Sequence, residues 1–148
     1  MSLKALAIIG LLLTLGLPVG VRAGADPPLV TAAKAGDSAR VAALLNAGAE
    51  PDSHDSARNT ALIFAARDGR EEIARMLLAA GASVNWQDGE LVSPLIIASF
   101  KNHPAVVKLL LDAGADVSVR DQWNRTALIY ALRRGGGDAI ARLIKAAR

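Results

Sequence analysis

The chain has 148 residues, 52% hydrophobic and 21% charged, so it is not intrinsically disordered and has room for one modest core. It contains no cysteine, which excludes disulfides, thiolate metal sites and thiol catalysis. Its formal charge of +3 includes Lys4 and Arg22; without them 15 basic residues face 14 acidic ones, a balance that argues against nucleic-acid binding.

The chain opens with MSLKALAIIGLLLTLGLPVGVRAGAD. Lys4 supplies a positive start, and Ala5 to Leu17 is a stretch of 13 uncharged residues. Pro18 and Gly20 break any helix there, and Val21-Arg22-Ala23 places small residues at −3 and −1 of a cleavage site. Residues 1–23 are therefore expected to be a signal peptide, cleaved after Ala23 or Ala25. No Arg pair is present in this segment, which points to the Sec-type route rather than twin-arginine export. The rival is an uncleaved anchor, but its 17 uncharged residues fall short of the roughly 20 that span a bilayer. Either way the rest of the chain, 24–148, is expected outside the cytoplasm, periplasmic or secreted. After cleavage no stable membrane insertion is expected.

From Pro27 onward the sequence repeats itself at a step of 33 residues. Gly48-Ala49, Gly81-Ala82 and Gly114-Ala115 keep this step, as do Leu29, Leu62, Leu95 and Leu128, and Ala32, Ala65, Ala98 and Ala131. The pairs Leu44-Leu45, Leu77-Leu78, Leu110-Leu111 and Leu143-Ile144 follow it too. The step reads as unbroken to Arg148, giving units of about 27–54, 55–87, 88–120 and 121–148. Within the second unit, Thr60 is a hydroxyl N-cap for a short apolar helix that Gly69 ends. Glu71 and Glu72 open the next helix at its positive dipole end. Ile73, Met76, Leu77 and Ala80 are expected on its buried face, and Gly81 stops it. In the third unit Ser93-Pro94 repeats the start signal. Such a helix pair cannot bury its apolar side alone, so the units must stack. Leu78 and Leu111 are expected in the core between them.

The words TALIFAARDG, SPLIIASFKN and TALIYALRRG, with LLAAGASVN and LLDAGADVS, make this pattern resemble the ankyrin repeat. The resemblance covers 122 of the 148 residues. It implies an all-α solenoid of four stacked helix-turn-helix units joined by short hairpin loops, with units one and four as caps. Ile63, Ile96 and Ile129 stand where the family usually carries His, which implies apolar packing in place of polar ties. His103 falls where the family commonly has His at the start of the second helix, a structural role.

Little in the chain suggests catalysis, a metal or a cofactor, and none is expected. His54 and His103 are the only histidines, and no third ligand at zinc-site spacing accompanies them. Asp55, Asp88 and Asp121 fall one per hairpin, where Asp at a turn start bonds its own backbone. Ser93 is used as an N-cap, which weakens a hydrolytic triad with His103. Gly135-Gly136-Gly137 lies between helices rather than after a strand, unlike a phosphate loop.

The positions that vary between units are more informative, because the resemblance implies a concave partner surface made of hairpin tips and first helices. Phe64, Ile97 and Tyr130 share one slot of the repeat. Arg67, Phe100 and Arg133 share another, and Lys101 and Arg134 belong to a third. Trp86, Arg120, Trp123 and Arg125 lie on the hairpins. All five aromatics thus map to one side, the composition of an interface. The bland alternative for Phe64, Ile97 and Tyr130 is packing between neighbouring first helices. Residues 24–86 carry six basic and eight acidic groups, and 87–148 nine and six, so an acidic partner surface is expected at the C-terminal end. These residues and the leader point to an exported protein-binding module, either accessory to a periplasmic enzyme, for instance in oxidative-stress defence, or an immunity or inhibitor protein that neutralises a secreted toxin or effector.

Overall fold

The computed structural model describes residues 24–133 and 139–148. The expected leader, Arg134 and Gly135-Gly136-Gly137 lie outside the described residues. Eight helices occupy them: α1 (Pro28–Ala35), α2 (Ser38–Asn46), α3 (Ala61–Asp68), α4 (Glu71–Ala79), α5 (Pro94–Lys101), α6 (Pro104–Asp112), α7 (Ala127–Arg133) and α8 (Ala139–Ala146). They pair as α1/α2, α3/α4, α5/α6 and α7/α8, and the pairs stack in two rows. The first helices α1, α3, α5 and α7 form one row, and α2, α4, α6 and α8 the other.

The helix ends follow from the residues there. Thr60 Oγ1 accepts from the Ile63 N–H at 3.4 Å, and Ser93 Oγ accepts from the Ile96 N–H at 3.3 Å. Gly36, Gly69 and Asn102 close α1, α3 and α5 in the left-handed conformation, with φ of 69°, 67° and 64°. Two of these caps are also seats for the next unit. A Cβ on Gly69 would lie 2.6 Å from His103 Nδ1, and one on Gly36 would lie 2.7 Å from Arg70 Cζ. His103 Nε2 lies 2.9 Å from the Arg67 carbonyl, which can only accept, so the ring carries its proton there. The His at this position is thus structural.

The core lies between the two rows. Ala32, Ala65, Ala98 and Ala131 are all buried, and with no side chain beyond Cβ they let the first helices approach closely. Leu29, Leu62, Leu95 and Leu128 are buried beside them. Ile63 and Ile96 are buried as the resemblance implied, whereas Ile129 is 37% exposed, because no further first helix covers α7 among the described residues.

Three expectations need correction. The buried face of α4 is Ile73, Ala74 and Leu77, with Met76 only partly buried and Ala80 exposed. The second leucine of each pair is not the core residue: Leu77 and Leu110 are fully buried, while Leu78 and Leu111 are partly exposed and pack against the core. The step of 33 also does not run to the end. Ile73, Ala74 and Leu77 recur at Val106, Val107 and Leu110, but then at Ile140, Ala141 and Ile144, which is 34 residues on. One extra residue has entered between Ala131 and Ile140.

Leu110→Ala should therefore cost about 2–5 kcal/mol in urea unfolding, and Leu111→Ala distinctly less. Equal losses would contradict this assignment of the core.

Candidate partner-binding face

The hairpins are built by their aspartates. Asp55 Oδ1 accepts from the N–H of Ala57 and of Asn59, both at 2.9 Å. Asp88 does the same for Glu90 and Val92 at 2.8 and 3.0 Å, and Asp121 for Trp123 and Arg125 at 2.9 and 3.0 Å. Each carboxylate is a turn anchor, as its place in the repeat suggests. The hairpins are tied to one another by backbone bonds, Gly89 N–H to the Ala57 carbonyl at 2.9 Å and Gln122 N–H to the Glu90 carbonyl at 3.0 Å. Arg58, Leu91 and Asn124 sit at the tips in the left-handed conformation, with φ of 64°, 61° and 62°.

The residues singled out from the sequence fall into three groups. Phe64 is buried and is covered by two cations, Lys34 Nζ at 4.9 Å and Arg67 Cζ at 4.7 Å from the ring centroid. Its slot is therefore closed, and Phe64 is a packing residue there. Trp86 is half-buried, and its Nε1–H donates to the Arg58 carbonyl at 2.8 Å. Arg58 Cζ lies 5.1 Å from its ring centroid, and the His54 ring is 5.2 Å away.

The third group converges. Ile97 and Phe100 on α5 and Tyr130 on α7 meet Trp123 and Arg125 of the last hairpin around a cavity of about 290 Å³. Glu90, Val92 and Ile96 complete its lining. Phe100 and Tyr130 meet edge to face with centroids 5.4 Å apart. Arg125 Cζ lies 5.9 Å from the Trp123 ring centroid and 5.8 Å from that of Tyr130. The Tyr130 hydroxyl donates to Asp121 Oδ2 at 2.5 Å, so one carboxylate holds both the turn and the cavity wall. Trp123 is 52% exposed and Phe100 43%. Lys101, Arg120 and Arg133 are exposed around them, and no ion pair among the described residues holds these three or Arg125.

The chain matches the family of ankyrin repeats (3 copies) over residues 4–88, 29–121 and 87–148. It belongs to the ankyrin-repeat family. No curated protein matches it. An ankyrin array is a protein–protein interaction module, and typically a binding scaffold without enzymatic activity. No helix among the described residues is long and apolar enough to cross a membrane.

Four parts of the ankyrin face were missed in the sequence. Ile96 reads as scaffold and Val92 is not singled out, yet both line the cavity. Asp121 read only as a turn anchor, and Leu91, 49% exposed at a tip, drew no notice. The register could have exposed Leu91, since it aligns with Arg58 and Asn124. Nothing in the sequence marks the bond from Tyr130 to Asp121.

The Tyr130 phenol is held above its ordinary value, first by burial, then by the bond it donates to Asp121 and that residue's charge; Arg125 opposes the shift. A pKa raised on folding means stability that is fully present below the unfolded value near 10 and lost as pH rises through the folded one. Tyr130 is the only tyrosine, so a tyrosinate absorbance titration reads it alone. The native midpoint should lie above 10 and fall in urea, and Asp121→Asn should lower it. A native midpoint at or below 10 would contradict the arrangement.

Proposed function

We propose that this chain is an exported ankyrin module, periplasmic or secreted, that binds a protein partner through its hairpin and first-helix face. The observation that carries the reading is the convergence of exposed Trp123 and Phe100 with Lys101, Arg120 and Arg133, none of them in an ion pair among the described residues, beside one cavity. Large exposed aromatics cost solubility and add little to folding, while aromatic and Arg side chains dominate interface energies. In this reading the contacting residues are Ile97, Phe100, Lys101, Arg120, Trp123, Arg125, Tyr130 and Arg133, with Arg134 beyond them. Arg67 and Trp86 mark a secondary area, and Phe64 supports it from beneath. The cations beside the cavity favour an acidic partner.

The partner is proposed to be a periplasmic enzyme that the module assists. Purified partner with and without the module decides the role: a rise in activity or lifetime fits an accessory, and a block fits an inhibitor.

Trp123→Ala and Arg133→Ala should each weaken partner binding by about 2 kcal/mol or more and leave the melting temperature within a few degrees. Lys108→Ala, on the outer face of α6 and paired with Asp112, should do neither. Full-strength binding by the double variant would move the interface elsewhere.

Export rests on Lys4, the uncharged stretch and the small-residue site before Gly24. Intact mass of the periplasmic fraction should show a chain beginning at Gly24 or Asp26. The family match reaching back to residue 4 gives the contrary outcome a form: a retained segment, detected as full-length protein in the cytoplasm.

A further inference from the structure

We infer that the cavity between units three and four takes one bulky apolar side chain from an internal acidic segment of the partner, with the flanking carboxylates held by Arg125 and the cations around it. This inference rests on the proposed binding face and names what that face recognises.

One repeat slot appears in three states. In unit two Phe64 is buried, and Lys34 and Arg67 lie over its ring; Lys34 is further committed to Asp26 at 2.6 Å. There the two cations are already placed on an aromatic ring of the chain itself. In unit three the slot holds Ile97, without a polar atom. In unit four it holds Tyr130, whose hydroxyl is committed to Asp121. Between Ile97 and Tyr130 the surface opens into the cavity of about 290 Å³. Six of its eight lining residues are aliphatic or aromatic, with Glu90 and Arg125 the exceptions, so the group that fits it is apolar.

The charges around it decide the flanks. Arg125 is half-buried against Trp123 and Tyr130, without a carboxylate in ion-pair contact among the described residues. Its planar, weakly hydrated guanidinium lies over both rings and bonds the Tyr130 hydroxyl, and with five N–H donors it has others to offer a carboxylate. Lys101 Nζ is 5.4 Å from the Phe100 ring centroid, Arg120 donates to the Asn124 carbonyl at 3.0 Å, and Arg133 lies on the last turn of α7. Cations thus extend from the hairpin tip to the end of α7. Against them the cavity lining has one acid, Glu90, since Asp121 is buried and occupied by Tyr130 and two backbone N–H groups. Cations spread this widely suit several side-chain carboxylates better than one chain terminus.

The test uses the mature protein and short capped peptides, with calorimetry and the indole N–H resonances of Trp123 and Trp86. A peptide with acetylated and amidated ends, carrying Phe between two pairs of Asp and Glu, should bind saturably. It should shift the Trp123 resonance and leave that of Trp86 in place. Replacing its Phe by Ala, or its acids by Lys, should weaken binding at least about tenfold, as should Arg125→Ala in the protein. Affinity should fall with added salt. Arg133→Ala, which leaves the cavity walls intact, should give a smaller loss in the same direction.

Equal binding of the Lys peptide would overturn the charge selection, and preference for a Phe peptide with a free terminal carboxylate would overturn the internal segment. No binding by any peptide up to millimolar concentration would overturn the inference as a whole. If Trp123→Ala nonetheless weakens capture of the natural partner, the face stands and the recognised motif is wrong. If that variant binds the partner fully, the face is wrong and the inference falls with it.

Discussion

Everything in this chain depends on how closely its first helices can approach. No helix pair here could bury its own apolar side, so each unit is stable only through its neighbours. The column Ala32, Ala65, Ala98 and Ala131 allows that contact, because a Cβ alone fills the gap between successive helices. The leucines at Leu29, Leu62, Leu95 and Leu128 then close around it. Once the first helices lie side by side, the hairpins between units are brought into line. Their tips join by backbone bonds, and residues 33 apart in sequence become lateral neighbours.

On the surface that this lateral neighbourhood makes, the residues that could suggest catalysis are in structural use. The aspartates that could suggest acid–base chemistry are each consumed by two backbone N–H groups of their own hairpin. His103 is likewise consumed, holding the Arg67 carbonyl of the preceding unit. What remains exposed at the last two units is an aromatic and cationic set of Phe100, Trp123, Lys101, Arg120 and Arg133. The array is therefore graded: unit two carries an aromatic already covered by its own cations, and unit four carries one beside an open cavity.

Much of this was legible in the sequence, because caps and repeats are local signals. Thr60, Ser93, Gly69 and the alanine column could be placed by their spacing alone. Three features resisted for physical reasons. Adjacent leucines both obey a repeat, so only helical phase separates Leu77 and Leu110 from Leu78 and Leu111. The extra residue after Ala131 sits near a run of identical glycines, where an alignment has nothing to grip, and the register seemed continuous until burial marked Ile140, Ala141 and Ile144. Phe64 and Tyr130 share a slot yet differ in fate, because the side chains around them differ: Lys34 and Arg67 lie over Phe64, whereas Asp121 and Arg125 meet Tyr130.

The seats at Gly36 and Gly69 make the order of the units part of the sequence. Arg70 and His103 each fill the space left by a missing Cβ one unit back. Asn102, which closes α5 in the same left-handed conformation, carries a Cβ at the corresponding place. A chain in which unit three is followed by a second copy of itself would drive an imidazole into that Cβ. The units look interchangeable by consensus, but these two joints are keyed: a unit that seats Arg70 or His103 needs a glycine cap before it.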